Sequence, residues 1–471
     1  MESCELQPTD ENVLGSFLDD RMERNIDILY FISFLNSITG KFSIALDGKW
    51  GSGKTFFVKQ VMMVLDTFND SVEQKNKDTE KVKALVQSIP EAKNAKLTGQ
   101  PQVCVYYDAW ENDNDNDPIL SLVYAILQSN ENYEFKSDCG NREKAREIVV
   151  NIAKHLLGRI SGINVSELSE TVHNTINGTD PLVHLKAEKD VKNSVNEFLK
   201  TLTVADNRLV IFIDELDRCK PTYAIRLLER IKHYFFHDKI TFVFSTNLEE
   251  LQHTIKCYYG DKFNATQYLE KFFDIHMVLP PINKHTFYRQ LELADTTLVN
   301  TQICRAVIEA NNFEFREAKK FVFFTKAILK ETCNALRINS SDTFECCLFF
   351  VAPVLIGLIM KDQTLYAEFI KGNNSKPLHD VLKIYDRHFG RDTRFGQDSI
   401  IDSLESCERS HNAEYVHYAD TYVETIAELM YSAIFKKEGT AFGGILFDDK
   451  ARDRIMRSVS PISKFAYFNK K

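Results

Sequence analysis

The sequence lacks the marks of several large functional classes. No apolar run approaches the roughly 20 residues that a bilayer crossing needs. The longest, Leu348 to Met360, holds Pro353 and Gly357 and stops at Lys361, so a buried helix or kinked helix pair is expected there. The N-terminus, with Glu2, Glu5 and Asp10, has neither the basic region nor the apolar core of a secretory signal. Ten cysteines include the adjacent pair Cys346-Cys347 but no C-x-x-C spacing. Cys104 and Cys219 lie in or beside apolar runs, as buried free thiols do. A reduced, cytoplasmic protein without integral membrane association is the expectation.

Other chemistries are missing too. The twelve histidines form no H-E-x-x-H or Cys/His zinc spacing. Asp113, Asp115 and Asp117 open like an EF-hand, but Pro118 replaces its glycine and Tyr124 its terminal glutamate. A solvated acidic loop is expected instead. Asn76-Lys77-Asp78 is one residue short of the guanine-reading N-K-x-D pattern, which disfavours GTP, and there is no L-S-G-G-Q segment. A net charge of -9 argues against a surface that coats nucleic acid, leaving room only for a local basic groove.

What is present is an ordinary globular composition, 44% hydrophobic and 27% charged, over 471 residues. That length accommodates a large domain and a second one. Residues 13–39 show helical periodicity ended by Thr39-Gly40. Phe42 to Leu46, Val103 to Tyr107, Arg208 to Ile213, Ile240 to Ser245 and Phe273 to Leu279 read as strands, with helical patterns between them at about 56–65, 119–128, 143–157, 222–236 and 249–259. Residues 160–200 are polar and helical with weaker signals. Such alternation predicts an α/β fold with a parallel, doubly covered sheet. After Pro280-Pro281 the pattern becomes helical: 286–298, 301–311, 315–330, 344–360, 378–388 and 413–436. The expected organisation is an α/β domain over 1–280, with a helical insertion at about 119–200, then a helical domain over 281–471. Phe344, Phe349 and Phe350 are read as core of the latter.

Gly48-Lys49-Trp50-Gly51-Ser52-Gly53-Lys54-Thr55 matches G-x-x-x-x-G-K-[ST], with a strand before it and a helix, starting with Phe56, after it. Glycines let backbone N–H groups turn inward around a phosphate, where a Cβ would obstruct. Lys54 places a charge on the β- and γ-phosphates, and the Thr55 hydroxyl ligates Mg2+. The helix directs its N-terminal dipole at the same group. The buried strand ending in Asp214 supplies a second Mg2+ ligand. Glu215 follows it as candidate base for the attacking water, or as a plain loop carboxylate. Asn247, after the strand from Ile240, either orients water through its amide or caps the next helix.

These segments resemble the KAP family of P-loop NTPases. The resemblance also rests on Tyr106-Tyr107-Asp108-Ala109-Trp110-Glu111, on Ile213-Asp214-Glu215-Leu216-Asp217-Arg218-Cys219-Lys220-Pro221, and on Leu227 to Lys232 and Tyr268 to Phe273, covering about residues 10–330. The tryptophan in the loop and the acidic stretch ending in Asp-Arg-Cys are its more specific parts. It implies an ATPase of the additional-strand glutamate class with a 5-1-4-3-2 sheet and a helical domain behind it. It also implies a sensor arginine, placed by position at Arg316. Lys271 stands where related oligomeric ATPases carry an arginine finger, and a lysine lacks the bidentate fork. Arg218 either reaches the γ-phosphate of a neighbouring subunit or pairs with Asp217 or Glu229. Many members insert transmembrane helices between the loop and the acid strand; here Lys154-His155 and Arg159 interrupt that interval.

The functional expectation is Mg-dependent ATP hydrolysis that drives a conformational or oligomeric switch. It would act in a homo-oligomer and regulate a protein effector; by resemblance, exclusion of phage is one such setting. The rival readings are a nucleic-acid-stimulated ATPase sensor or motor, and an ATP-binding scaffold with little turnover.

Overall fold

The computed structural model describes residues 7–69, 77–93, 97, 101–115, 117–131, 139–160, 181–203, 207–294, 299–335, 343–389, 422–436, 441–442, 445–446 and 452–459. The chain divides into two compact units between Ile282 and Asn283.

The first unit opens with two helices, α1 (Asp10–Leu18) and α2 (Asn25–Ser37), where the periodicity predicted one. The break has a local cause. Asp20 and Glu23 adopt positive φ (44° and 50°), and the Asp20 carboxylate accepts from the backbone N–H groups of Arg24 and Asn25 at 3.1 and 3.3 Å. It thereby satisfies orphan donors at the start of α2. There follow β1 (Phe42–Asp47), α3 (Lys54–Thr67), α4 (Lys77–Ser88), β2 (Gln102–Asp108), α5 (Pro118–Glu131), α6 (Cys139–Ile160), α7 (Pro181–Leu202) and β3 (Arg208–Asp214). A 3-10 turn at Leu216–Arg218 leads to α8 (Pro221–Tyr234), β4 (Ile240–Thr246), α9 (Leu248–Tyr259), α10 (Ala265–Leu269) and β5 (Ile275–Val278). Residues 161–180, within the segment read as weakly helical, lie outside the described residues.

The five strands are parallel in the order β2-β3-β4-β1-β5, which is 5-1-4-3-2 read from the other edge. Every residue of β3 and β4 is buried, as strands covered on both faces require. Alternation then divides their side chains between two cores. Leu209, Ile211 and Ile213 pack with α5, α6, α7 and α8 residues such as Leu122, Ile152, Phe198 and Leu228. Val210 and Phe212 face Ile32, Phe57 and Val61 of α2 and α3. All strands point the same way, so Asp47, Asp108 and Asp214 close β1, β2 and β3 on one edge. The register pairs Asp47 with Thr246, and Asp214 with both Ser245 and Asp108.

The second unit contains α11 (Lys284–Gln290), α12 (Val299–Ala310), α13 (Phe315–Ala335), α14 (Thr343–Lys361), α15 (Gln363–Ile370), α16 (Lys376–Phe389) and α17 (Tyr422–Phe435). It departs from the all-helical domain that the pattern led us to expect: Ala441–Phe442 (β6) and Ile445–Leu446 (β7) form an antiparallel pair, too short for periodicity to register. Helix α11 ends well before 298, and residues 295–298 and 413–421 lie outside the described residues. The apolar run is one helix, α14, with Pro353 inside it. Phe350, Val351, Leu355 and Ile356 are fully enclosed, while the side chains of Phe344 and Phe349 are outside the described set. Asp362 ends the run by capping α15, accepting from Thr364 and Leu365 N–H at 2.8 and 3.1 Å. Among the described residues no helix is long and apolar enough to cross a membrane.

Gly357 is where α14 meets α12. A Cβ there would lie 2.8 Å from Val307 Cγ1 and 3.1 Å from Asn311 Nδ2. Overpacking a filled core costs about 1–3 kcal/mol. Gly357→Val should therefore lower stability by that amount, as measured by the denaturant midpoint of the full chain.

Candidate active site

The loop after β1 is folded by its glycines and pinned to β4. Gly51 and Gly53 have φ of 82° and 89°, values that residues with a Cβ adopt only at a cost. A Cβ on Gly48 would come within 2.9 Å of Ser52 Oγ and 3.2 Å of Lys54 Cγ, so that glycine makes room for the lysine. Gly48 N–H donates to Thr246 O at 3.2 Å, and Asp47 Oδ1 accepts from Leu248 N–H at 2.9 Å. Lys54 Nζ folds back to donate to the carbonyls of Gly48 and, at 3.2 Å, Lys49. Burial pulls the Lys54 pKa below its ordinary value, against the opposing fields of Asp217, Asp214 and Glu215. Helix α3 starts at Lys54, so its unpaired N–H groups face the loop. Phe56, its third residue, is buried beneath.

Two carboxylates complete this edge. Asp214, 1% exposed, accepts from Thr55 Oγ1 at 2.7 Å and Tyr106 OH at 3.1 Å through Oδ2, and from Glu215 N–H at 3.0 Å through Oδ1. Burial raises its pKa, and these hydrogen bonds oppose the rise. Tyr106 is itself pushed far up, first by burial and then by the Asp214 charge, so it stays a donor. Glu215 takes a left-handed φ of 60°, a conformation costing roughly 1–2 kcal/mol. Burial pushes its carboxyl up to about 7, Arg218 pulls it down, and Asp214, Asp108 and Asp217 add to the rise. That makes it a stronger base than an exposed glutamate.

Arg218 departs from both pairings expected for it. Its Nε ion-pairs with Glu215, and its guanidinium lies 5.5 Å from the centre of the Trp110 ring. The 3-10 turn accounts for this, because it stacks residues three apart over one another. Glu229 instead accepts from Tyr268 OH at 3.1 Å. Asp217 is taken up differently: Oδ2 accepts from Trp50 Nε1 at 2.5 Å, and Oδ1 from Thr246 Oγ1 at 2.9 Å and Asn247 N–H at 3.1 Å. Asn247 caps α9, its Oδ1 accepting from Glu249 and Glu250 N–H at 3.2 and 3.5 Å. Only its amide Nδ2 has donors left for another partner.

Sequence reading missed Asp217, Tyr106 and Arg24. The first two lie inside quoted motifs, but nothing local says what they touch. Arg24, 4% exposed, donates through Nη1 to Ser52 O at 2.9 Å and through Nη2 to Pro280 O. Burial lowers its pKa to about 10, with Asp27 opposing.

Lys271 and Arg316 are placed as follows. Lys271 lies beyond the amino end of β5, whose next residues pair with the start of β1: Asp274 Oδ2 accepts from Ser43 N–H at 2.7 Å. Within one chain it is therefore at the opposite edge from the loop, with Nζ 5.9 Å from the Tyr268 ring centre. Arg316 is an exposed residue at the start of α13, in the other unit. The acidic loop is not simply solvated, as expected. Asp117 pairs with Arg230 at 3.2 Å and Asp113 accepts from Lys220 N–H at 3.1 Å, tying it to α8. Among the described residues no group of three or more His, Cys, Asp or Glu could hold a metal alone. The Thr55 hydroxyl and Asp214 carboxylate are a hard oxygen pair, of the kind Mg2+ combines with phosphate oxygens and water.

Arg24→Met should strand the Ser52 and Pro280 carbonyls. Both carbonyls belong to half-buried residues, so a stability loss of about 1–3 kcal/mol in total is expected in urea unfolding, with a loosened loop after β1.

A family model, the KAP family P-loop domain, matches residues 28–323. An uncharacterised protein of Methanocaldococcus jannaschii is 26% identical over 171 residues, covering 30% of this chain and 88% of that protein. Among solved structures, the ORC2 protein of Aeropyrum pernix, in ADPNP–ADP complexes, matches 95% of this chain and 93% of its own at 11% identity. Its TM-score of 0.30 is too low to transfer anything from that protein to this one.

Proposed function

The chain belongs to the KAP family of P-loop NTPases, and on that premise we propose that it hydrolyses ATP with Mg2+. The observation that carries the reading is the 2.7 Å contact between Thr55 and Asp214 beside a carboxylate, Glu215, with raised basicity. The missing N-K-x-D pattern favours ATP over GTP. The strand β4 lying between β1 and β3, with glutamate after the strand-end aspartate, supports the additional-strand glutamate class.

Bound Mg2+ would neutralise the β- and γ-phosphate oxygens, held from the protein side by Thr55 and Asp214. Lys54, now bridging the carbonyls of Gly48 and Lys49, would turn its ammonium to the phosphates. Tyr106 fixes the orientation of Asp214 by donating to it. Glu215 takes a proton from water as the water oxygen bonds to the γ-phosphorus; the bond to the β-bridging oxygen breaks and ADP leaves with that electron pair. Asn247 Nδ2, which its capping of α9 leaves unused, would orient the water. Arg218, joined to Glu215, would move to the developing phosphate charge as the base becomes neutral. We further assign hydrolysis to a switch that acts on a protein effector in a homo-oligomer.

Lys54→Ala should abolish nucleotide binding in calorimetry. Glu215→Gln should keep binding and lower the hydrolysis rate by about 10²–10⁴, the usual worth of a positioned base. Unchanged phosphate release by Glu215→Gln would sink this mechanism.

A further inference from the structure

The loop tryptophan and the acid three residues beyond Asp214 are the two ends of one hydrogen bond, from Trp50 Nε1 to Asp217 Oδ2. We propose that Asp217 is a positioning residue that holds the phosphate loop through Trp50 and, with its other oxygen, holds the end of β4, so that the two move as one. The inference rests on the ATP-binding reading above and adds a residue to it.

The geometry supports this in three ways. Asp217 sits on a rigid mount: the turn is closed by Arg218 N–H to Glu215 O at 3.1 Å and Cys219 N–H to Leu216 O at 3.3 Å. Leu216 is fully buried beneath it, and Thr254 Oγ1 of α9 donates to the Asp217 carbonyl at 3.4 Å. Its carboxylate divides its work by oxygen, Oδ2 to the loop and Oδ1 to Thr246 and Asn247. The loop offers few other handles, since Gly48, Gly51 and Gly53 have no side chain. Trp50, at 41% exposure, gains too little burial to hold its ring, and indole offers a single N–H. Arg24 grips the loop from the Ser52 carbonyl, and Asp217 grips it from Trp50. Asp217 also heads the acids that sustain the charge of Lys54.

A connection follows from the loop to α9. Asn247 N–H is bound by Asp217 while Asn247 Oδ1 caps α9. A phosphate that shifts the loop would pull on the carboxylate and therefore on the cap. Misplacement of a binding group by about 1 Å is enough to cost binding or rate.

The test is a double-mutant cycle in the full chain. Trp50→Phe removes the donor. Asp217→Asn keeps one oxygen for Thr246 and Asn247 and turns an NH2 against the indole N–H. Each should raise KM for Mg-ATP about tenfold, as a displaced phosphate loop would, with only a small fall in the unfolding midpoint from the lost hydrogen bond. The double variant should be no worse than either single. In a Trp110→Phe background Trp50 is the one tryptophan left; Mg-ATP should shift its emission, and Asp217→Asn should abolish that shift. Additive effects, or a fallen midpoint with unchanged KM, would overturn the proposal while leaving the ATPase reading intact. If Asp217→Asn does not fold, Trp50→Phe alone decides by the same KM and midpoint criteria. Wild-type protein that binds no Mg-ATP would overturn both.

Discussion

Everything at this site depends on β4 being paired between β1 and β3. Parallel strands lie about 4.8 Å apart, so the loop strand and the acid strand are separated by roughly twice that. The 2.7 Å contact from Thr55 to Asp214 therefore requires the loop to pass over the carboxyl end of β4. This is why Gly48 is tied to Thr246 and Asp47 to the first turn of α9. It is also why one short turn after β3 can touch the loop, the strand and the helix together. A site at the carboxyl edge, where strand order switches, is the usual consequence of this kind of sheet.

The charges show what such a placement costs. Burial moves Asp214 and Glu215 up and Lys54 down, each toward its neutral form. The fold offsets this with specific partners: Thr55 and Tyr106 on Asp214, Arg218 on Glu215, and loop carbonyls on Lys54. Under the proposed function, a bound phosphate and divalent cation would take over several of these roles. The partly exposed tryptophans, Trp50 and Trp110, sit on the acid and the base partners of that arrangement.

Some of this is legible without coordinates because it obeys short-range rules. The glycines at 48, 51 and 53 advertise a backbone that must turn where a Cβ would collide. The apolar run Leu209 to Ile213 advertises a strand covered on both faces, and its length puts Asp214 at the rim. The Leu348–Met360 run reads as core, and its helix is core. Periodicity alone misses the local Asp20 cap that breaks the expected 13–39 helix, and local rules fail where residues from elsewhere intervene, as Lys220 and Arg230 do in tying down the acidic loop.

The sequence by itself determined the strand and helix types, the phosphate loop and the acid pair, since each is encoded within a few neighbouring residues. Strand order had to come from family resemblance, as pairing partners leave no local trace. Tertiary structure alone decided that Arg24 reaches Ser52 and Pro280 across 28 and 256 residues, and that Trp50 meets Asp217 across 167. Hydrogen bonds of such span are made by the packing of whole elements. No residue spacing along the chain can specify them.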